Sequence, residues 1–263
     1  FNKFTPNVPL YLPKMPNSSG SALEVAISAN CKISGGDLYT GMIGGILENP
    51  DKNNSVIIAL NTIPQDRPPW EIWVNTDGNR FTREDHPSAD FRRHAVNKQK
   101  ELKFYIIFDE GILANAPPIG ITSDEGLSSH INGKITFVKS NSIFSLATKI
   151  GINPDNLIQT INEYNNGVAT SRDQFSREHL PRKINDPPFY SLLSVAFALP
   201  SPAGIEVDEN LRAIDTNGIP IHNLYAAGEI IGNTRIMGNC YIPGMGVGPT
   251  ITFGKLLGEN INK

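Results

Sequence analysis

Asn223-Leu224-Tyr225-Ala226-Ala227-Gly228-Glu229, followed downstream by Tyr241-Ile242-Pro243-Gly244-Met245-Gly246-Val247-Gly248-Pro249-Thr250-Ile251-Thr252-Phe253-Gly254, decides how this chain is read. The first run is an apolar strand ending on small residues and then a carboxylate. Ala226, Ala227 and Gly228 would let a ligand approach the backbone closely. Glu229, just past the strand end, can accept hydrogen bonds from sugar-like hydroxyls. The alternative for Glu229 is a solvated or capping side chain. The second run is a glycine-rich loop that opens a helix, with Pro249 in its first turn. Gly238, Gly244, Gly246 and Gly248 permit positive φ and expose amide donors. Thr250 and Ile251 are expected to carry unbonded amides at the helix N-terminus, where the dipole favours negative charge. A glycine loop alone says little. Strand, Gly-Glu, glycine loop and helix in that order point to a bound cofactor with hydroxyls and partial negative charge.

Upstream, the pattern has two parts. Residues 1–18 are rich in Pro and Asn and read as loop. Ser19-Gly20-Ser21 is expected to cap a helix through about Cys31, with Leu23, Ala26 and Ile27 on one face. Gly35-Gly36 ends that region, and Val56 to Leu60 reads as a strand. Thr62 through Pro69 looks like a boundary. Glu71 to Val74 is a strand, Asp77-Gly78 a hairpin turn, and Arg80-Phe81 the returning partner. Leu102 to Phe108 and Ile135 to Val138 read as further strands. Ser142 caps a helix to Ile150. Asn153-Pro154 opens another, whose face is Leu157, Ile158, Ile161 and Tyr164. Pro187-Pro188-Phe189-Tyr190 marks a return toward the first region. Gly204 to Asp208 and Ala213 to Asp215 read as paired strands, and Leu224 to Ala227 as a buried one. The last helix is expected from Pro249 to about Ile261.

Composition narrows the function classes. The chain has 263 residues, 39% hydrophobic and 19% charged, with a net charge of -3. This is a globular balance with enough length for a substantial core. It gives no electrostatic reason to expect a nucleic-acid or anionic-membrane partner. No apolar run approaches the roughly 20 residues that span a bilayer. Two cysteines, Cys31 and Cys240, lie far apart, and His86, His94 and His130 lack metal-ligand spacing, so no metal site is expected. So few thiols favour a reducing compartment, taken as the cytoplasm. The chain starts Phe1-Asn2-Lys3-Phe4, without Met or a signal-peptide pattern, which fits a processed or truncated product.

The segment 204–258 closely resembles the C-terminal flavin-binding part of the fumarate reductase / succinate dehydrogenase flavoprotein superfamily. Pro187 to Tyr190 is similar to the family's entry into its flavin-side strands. Asn75 to Glu84 resembles the hairpin that opens its capping domain. Ser19 to Ala29 is similar to the helix after its second Rossmann-side strand. The resemblance implies FAD as cofactor and an α+β capping domain inserted into the C-terminal remainder of an α/β, Rossmann-like FAD-binding domain. The implied division is residues 1–62 with 189–263, and residues 63–188 as the cap. It implies that Ala227, Gly228, Glu229, Gly244, Gly248, Thr250 and Ile251 contact the flavin nucleotide, with Glu229 at its ribityl or ribose hydroxyls. The family opens with a G-x-G-x-x-G loop, and this sequence has none. The expectation is therefore the later part of a flavoenzyme, with weak or no FAD affinity on its own.

Departures from the family pattern limit the substrate. Ala198-Leu199-Pro200-Ser201-Pro202-Ala203-Gly204 stands where fumarate reductases carry a His-Thr-rich stretch, and Arg235 is not at the spacing of their carboxylate-clamping Arg. A C4 dicarboxylate is therefore not expected. Tyr241-Ile242-Pro243-Gly244-Met245-Gly246 and Gly248-Pro249 through Gly254 look more like the 3-ketosteroid dehydrogenase branch, with one residue more between Tyr and Pro. There a Tyr hydroxyl and a Gly amide polarise a ketone, which carries over to Tyr241 and Gly246 (or Gly244). Glu84 matches a hairpin carboxylate that can relay protons with an Arg, and Arg83 and Arg92 are candidate partners. The alternative for these charges is a surface salt bridge. The implied reaction is hydride transfer between flavin and a C–C bond beside a carbonyl or carboxyl group of a small molecule, with an unidentified electron partner. The rival readings are a non-catalytic remnant or binding module, or one half of a split flavoenzyme.

Overall fold

A computed structural model describes residues 8–13, 19–38, 41–49, 55–119, 137–198, 201–233, 244 and 246–261. The strands are β1 (Leu12–Pro13), β2 (Ile33–Ser34), β3 (Gly41–Leu47), β4 (Ser55–Ala59), β5 (Ile72–Val74), β6 (Lys103–Asp109), β7 (Phe137–Ser140), β8 (Phe189–Ala198), β9 (Gly204–Ile205), β10 (Arg212–Ile214) and β11 (Pro220–Tyr225). The helices are α1 (Ser21–Ser28), α2 (Ala89–Asn97), α3 (Glu110–Asn115), α4 (Ile143–Ile150), α5 (Pro154–Thr170) and α6 (Val247–Asn260). Two compact units result: residues 1–10, 15–40 and 198–263 form one, and residues 11–14 and 41–197 the other.

The larger unit is built on a mixed sheet of order β1-β4-β3-β8-β6-β5, with β7 also on β8. β6 and β8 run antiparallel through seven residue pairs, from Lys103 opposite Val195 to Asp109 opposite Phe189. Both strands are apolar on the two faces, as strands covered on both sides are. Trp73, Phe104, Ile106 and Ile107 fill the centre, with the Trp73 and Phe104 rings 5.1 Å apart. Residues 41–62 and 189–197, expected with the chain ends, belong to this unit because β3, β4 and β8 are hydrogen-bonded into its sheet.

β3 was not legible as a strand, since Gly44 and Gly45 lower strand propensity. Gly45 is required there: a Cβ would lie 2.8 Å from Phe197 Cδ1 and 3.1 Å from the methyls of Val195 and Val56. The Asp77-Gly78 turn forms, with Asn75 N–H donating to Asn79 O at 2.9 Å. Arg80, however, makes a single bridge to Val74 instead of a returning strand. α4 and α5 start as expected: Ser142 and Asn153 side chains accept from the Ser145 and Asn156 amides. Leu157, Ile161 and Tyr164 on α5 are fully buried.

The smaller unit holds α1, α6 and two two-stranded sheets, β2-β9 and β10-β11. α1 is shorter than expected. It ends at Ser28, is capped by Gly20 in the left-handed region, and has no side-chain cap bond. Cys31 instead forms a bridge to Asp215. The paired-strand expectation appears as a bridge between Val207 and Ala213. β11 pairs with β10 and is exposed or half-buried along its length. Ala226 is the buried residue of the run expected to be a buried strand.

Candidate functional site

In the smaller unit the chain leaves β11 through Ala226 and Ala227, the latter extended at φ -147 and ψ 159. Gly228 then turns at φ +83 and opens one 3₁₀ turn, Gly228–Ile231, closed by Gly232 N–H donating to Glu229 O at 3.0 Å. Gly232 also has positive φ, +84. A Cβ at Gly204 would sit 2.0 Å from Gly232 N, and one at Gly232 would sit 2.5 Å from Pro202 O. The two backbones therefore pack against each other where no side chain fits. A Cβ at Gly228 would meet Thr250 Cγ2 at 3.2 Å, which puts the start of α6 beside this turn.

Three groups at this turn are chemically available. Glu229 is exposed, and its carboxylate makes no hydrogen bond or ion pair among the described residues. Asn233 is 5% exposed, and its Oδ1 is buried without a partner. A buried amide oxygen without a donor is a costly arrangement unless something donates to it. Thr250 Oγ donates to Gly246 O at 2.6 Å. Asn233 was not singled out from sequence, because a lone Asn after a single glycine carries no local signal.

α6 begins two residues before Pro249, with Gly246 as N-cap and no side-chain cap bond. Gly244 has φ +85, and its carbonyl accepts from Gly248 N–H at 2.9 Å. The first-turn amides are those of Val247 and Gly248. Thr250 and Ile251, fourth and fifth in the helix, lie beyond them, which corrects the expectation that their amides are unbonded. The helix could start early because Gly246 and Gly248 tolerate the approach that proline alone was expected to fix. Tyr241, Gly238, Arg235 and Cys240 lie outside the described residues.

In the larger unit, Glu84 is 1% exposed. Its carboxylate accepts from Arg80 Nε at 2.9 Å, Arg80 Nη2 at 2.7 Å and the Trp73 amide at 3.1 Å. Arg177 Nη1 lies 3.3 Å away. Arg80 Nη1 also donates to Asp173 Oδ2 at 2.5 Å. Two guanidinium and two carboxylate groups thus form a neutral buried cluster. The Tyr164 ring lies 5.5 Å from the Arg80 guanidinium carbon and 5.3 Å from that of Arg177, a cation–π arrangement. Burial alone would lower the Arg80 pKa, but Glu84 and Asp173 outweigh it and push it up. Burial raises the Asp173 carboxyl, while Arg80 and two backbone amides hold it below the ordinary carboxylate range.

This cluster is not the surface salt bridge weighed from sequence, nor does it use the expected partners. Arg83 pairs with Asp85 at 2.8 Å and Glu178 at 2.8 Å. Arg92 donates to backbone carbonyls. Asp173 and Arg177 lie some ninety residues beyond Glu84 in sequence, so no local pattern marks them. Arg177 also fastens its own segment, donating to His179 O at 2.7 Å, Glu71 O at 2.8 Å and Pro69 O. A second buried pair, Arg67 with Glu71, is bidentate at 2.9 and 3.0 Å. It floors a cavity of about 70 Å³ walled by Phe108, Ile112, Pro117 and Ile119. No metal-ligand cluster and no helix able to cross a membrane occur among the described residues.

The chain is 28% identical over 194 residues to a probable fumarate reductase, Ifc3, of Shewanella frigidimarina, covering 73% of this chain and 31% of that protein. It is 26% identical over 219 residues to a 3-oxosteroid 1-dehydrogenase of Mycobacterium tuberculosis, covering 73% and 38%. In fold it is similar to the 3-ketosteroid Δ1-dehydrogenase of Sterolibacterium denitrificans, with a TM-score of 0.70 at 22% identity over 95% of this chain and 49% of that one. The chain spans about a third of the length of these curated relatives. Residues 6–242 match the FAD binding domain family, and the chain belongs to that family.

Proposed function

We propose that this chain is the later part of an FAD-dependent oxidoreductase that moves hydride between flavin and a C–C bond beside a carbonyl or carboxyl group. The match of residues 6–242 to the FAD binding domain family supports this most directly. The residues in place also fit such a cofactor. Gly228 and Gly232 make a turn without side chains, Glu229 offers a free carboxylate, and Asn233 Oδ1 offers an acceptor without a donor. The flavin would supply the redox chemistry.

On this reading Glu229 accepts hydrogen bonds from ribityl or ribose hydroxyls, and Ala227 and Gly228 allow close approach. Gly244, Gly248, Thr250 and Ile251 border the ring system. The Tyr241 hydroxyl and the Gly246 amide polarise a ketone and hold or deliver its proton. The larger unit, which contains residues 63–188, acts as a cap that excludes water from the substrate. Glu84 serves that cap by neutralising Arg80 and Arg177 and is a positioning residue.

The test is flavin content. The protein made from the complete coding sequence should copurify with FAD, and Glu229→Ala should weaken its retention by about tenfold or more, the loss of charge-assisted hydrogen bonds. Equal retention by wild type and variant, or no FAD in either, would refute the assignment. One observation favours a second reading, in which a separate chain supplies the pyrophosphate-binding loop. Val247 and Ile251 on α6 are 66% and 67% exposed, more apolar surface than a finished helix usually shows. Recovery of FAD binding only after mixing two separately made chains would support it.

A further inference from the structure

Five arginines of the larger unit are buried: Arg67, Arg80, Arg92, Arg93 and Arg177. Four have a carboxylate. Arg67 has Glu71, Arg80 has Glu84 and Asp173, Arg93 has Asp90, and Arg177 has Glu84. Among the described residues, Arg92 alone has no carboxylate within ion-pair distance. It is 3% exposed. Its Nε donates to His86 O at 2.9 Å and its Nη1 to Thr62 O. Its Nη2 has no hydrogen-bond partner among the described residues, and the residue keeps a small exposed area.

This arrangement is unusual in energy and specific in geometry. A buried guanidinium without a counter-ion carries a large desolvation cost. Burial lowers the Arg92 pKa to about 10, with no acidic group opposing it, so the side chain still bears its charge at neutral pH. Two backbone carbonyls from segments well apart in the chain, at Thr62 before β5 and at His86 before α2, fix the side chain. The rest of α2 supports this placement. Ser88 caps the helix through the Phe91 amide, Phe91 stacks on the His86 ring at 4.0 Å, and Val96, one turn on, is buried. What remains is one charge-bearing N–H edge, held in place and not yet matched by an acid.

We propose that Arg92 anchors a carboxylate group of a small organic ligand through Nη2. A monoanion suits the site: one formal charge is uncompensated, and one nitrogen is free to donate. A phosphate dianion would demand more donors than this edge offers. Assigning the carboxylate to the substrate rests on the oxidoreductase reading above. It would separate carboxylate-bearing substrates from neutral ketones at a residue distinct from the loop around Arg235.

The experiment compares cyclohexanecarboxylate with cyclohexanecarboxamide, a neutral molecule of the same shape, by calorimetric titration of the 263-residue chain. Wild type should bind the carboxylate and bind the carboxamide at least about tenfold more weakly, as expected for loss of a charge-assisted contact. Arg92→Gln should abolish that difference, and Arg92→Lys should keep part of it. Equal binding of the two probes by wild type, or an unchanged preference in Arg92→Gln, would overturn the proposal. If Arg92→Gln does not fold, the wild-type comparison and Arg92→Lys decide. Flavin retention and the same titration are measured in parallel on the protein from the complete coding sequence. Flavin without carboxylate preference refutes the anion site and leaves the oxidoreductase reading standing. Carboxylate preference without flavin in the complete protein does the reverse.

Discussion

Replacing Glu84 by Gln tests the buried cluster with the least change of shape. Gln keeps the side-chain volume and can still accept from the Trp73 amide. It loses the charge that balances Arg80 and Arg177, whose side chains are 1% and 0% exposed. The cluster then passes from neutral to one net positive charge. Breaking a buried ion pair by removing one partner costs roughly 3–5 kcal/mol, because the remaining charge stays desolvated. Asp173 still faces Arg80 at 2.5 Å, so the lower end, about 3 kcal/mol, is expected. For a unit of this size each kcal/mol moves Tm by about 2–4 °C, giving a fall of about 6–12 °C. Urea and thermal melts followed by near-ultraviolet circular dichroism, to which the buried Trp73 contributes, read it directly. Glu178→Gln is the control. Its pairing with Arg83 is 82% exposed on the acid's side and should be worth under about 1 kcal/mol. If the two variants melt alike, the cluster does not carry the load assigned to it.

Other expectations follow from single positions. Gly204→Ala places a Cβ 2.0 Å from backbone at Gly232. Neither backbone can step aside cheaply, so the smaller unit should lose about 3 kcal/mol or more, read by hydrogen exchange at residues 201–233. Gly45→Ala pushes against Phe197, Val195 and Val56 and should cost about 1–3 kcal/mol in a urea melt, since side chains can shift. Asp173 titrates below its ordinary value in the fold: burial raises it, and Arg80 and the backbone amides lower it further. Its ionised form therefore stabilises the fold above the unfolded value of about 4, and that contribution disappears as pH falls through the lower, folded value. Asp173→Asn should be less stable at neutral pH and should show a shallower acid decline below about pH 4.

How much of this was legible in the sequence depends on whether the signal was local. The Ser142 and Asn153 caps and the α5 stripe of Leu157, Ile161 and Tyr164 were, because capping and helical period act within one turn. The Asp77-Gly78 turn was legible, but the returning strand was not, since Arg80 is committed to a partner at Asp173. β3 was hidden by Gly44 and Gly45, whose reason is the Phe197 ring across the sheet. The start of α6 was misplaced because proline marks a first turn without saying which residue of it. At the candidate site, Gly228 and Glu229 could be read from a strand ending on small residues. Asn233 and Arg177 could not, and Arg92 could be read only as a partner for Glu84, because each matters through what surrounds it in three dimensions.

The most direct test of the central claim is the visible absorption spectrum of the protein from the complete coding sequence, recorded beside the 263-residue chain. Flavin bands near ~450 nm in the complete protein, and weak or absent bands in the chain alone, are the predicted result. A complete protein that shows no flavin band, even after incubation with FAD, would contradict it.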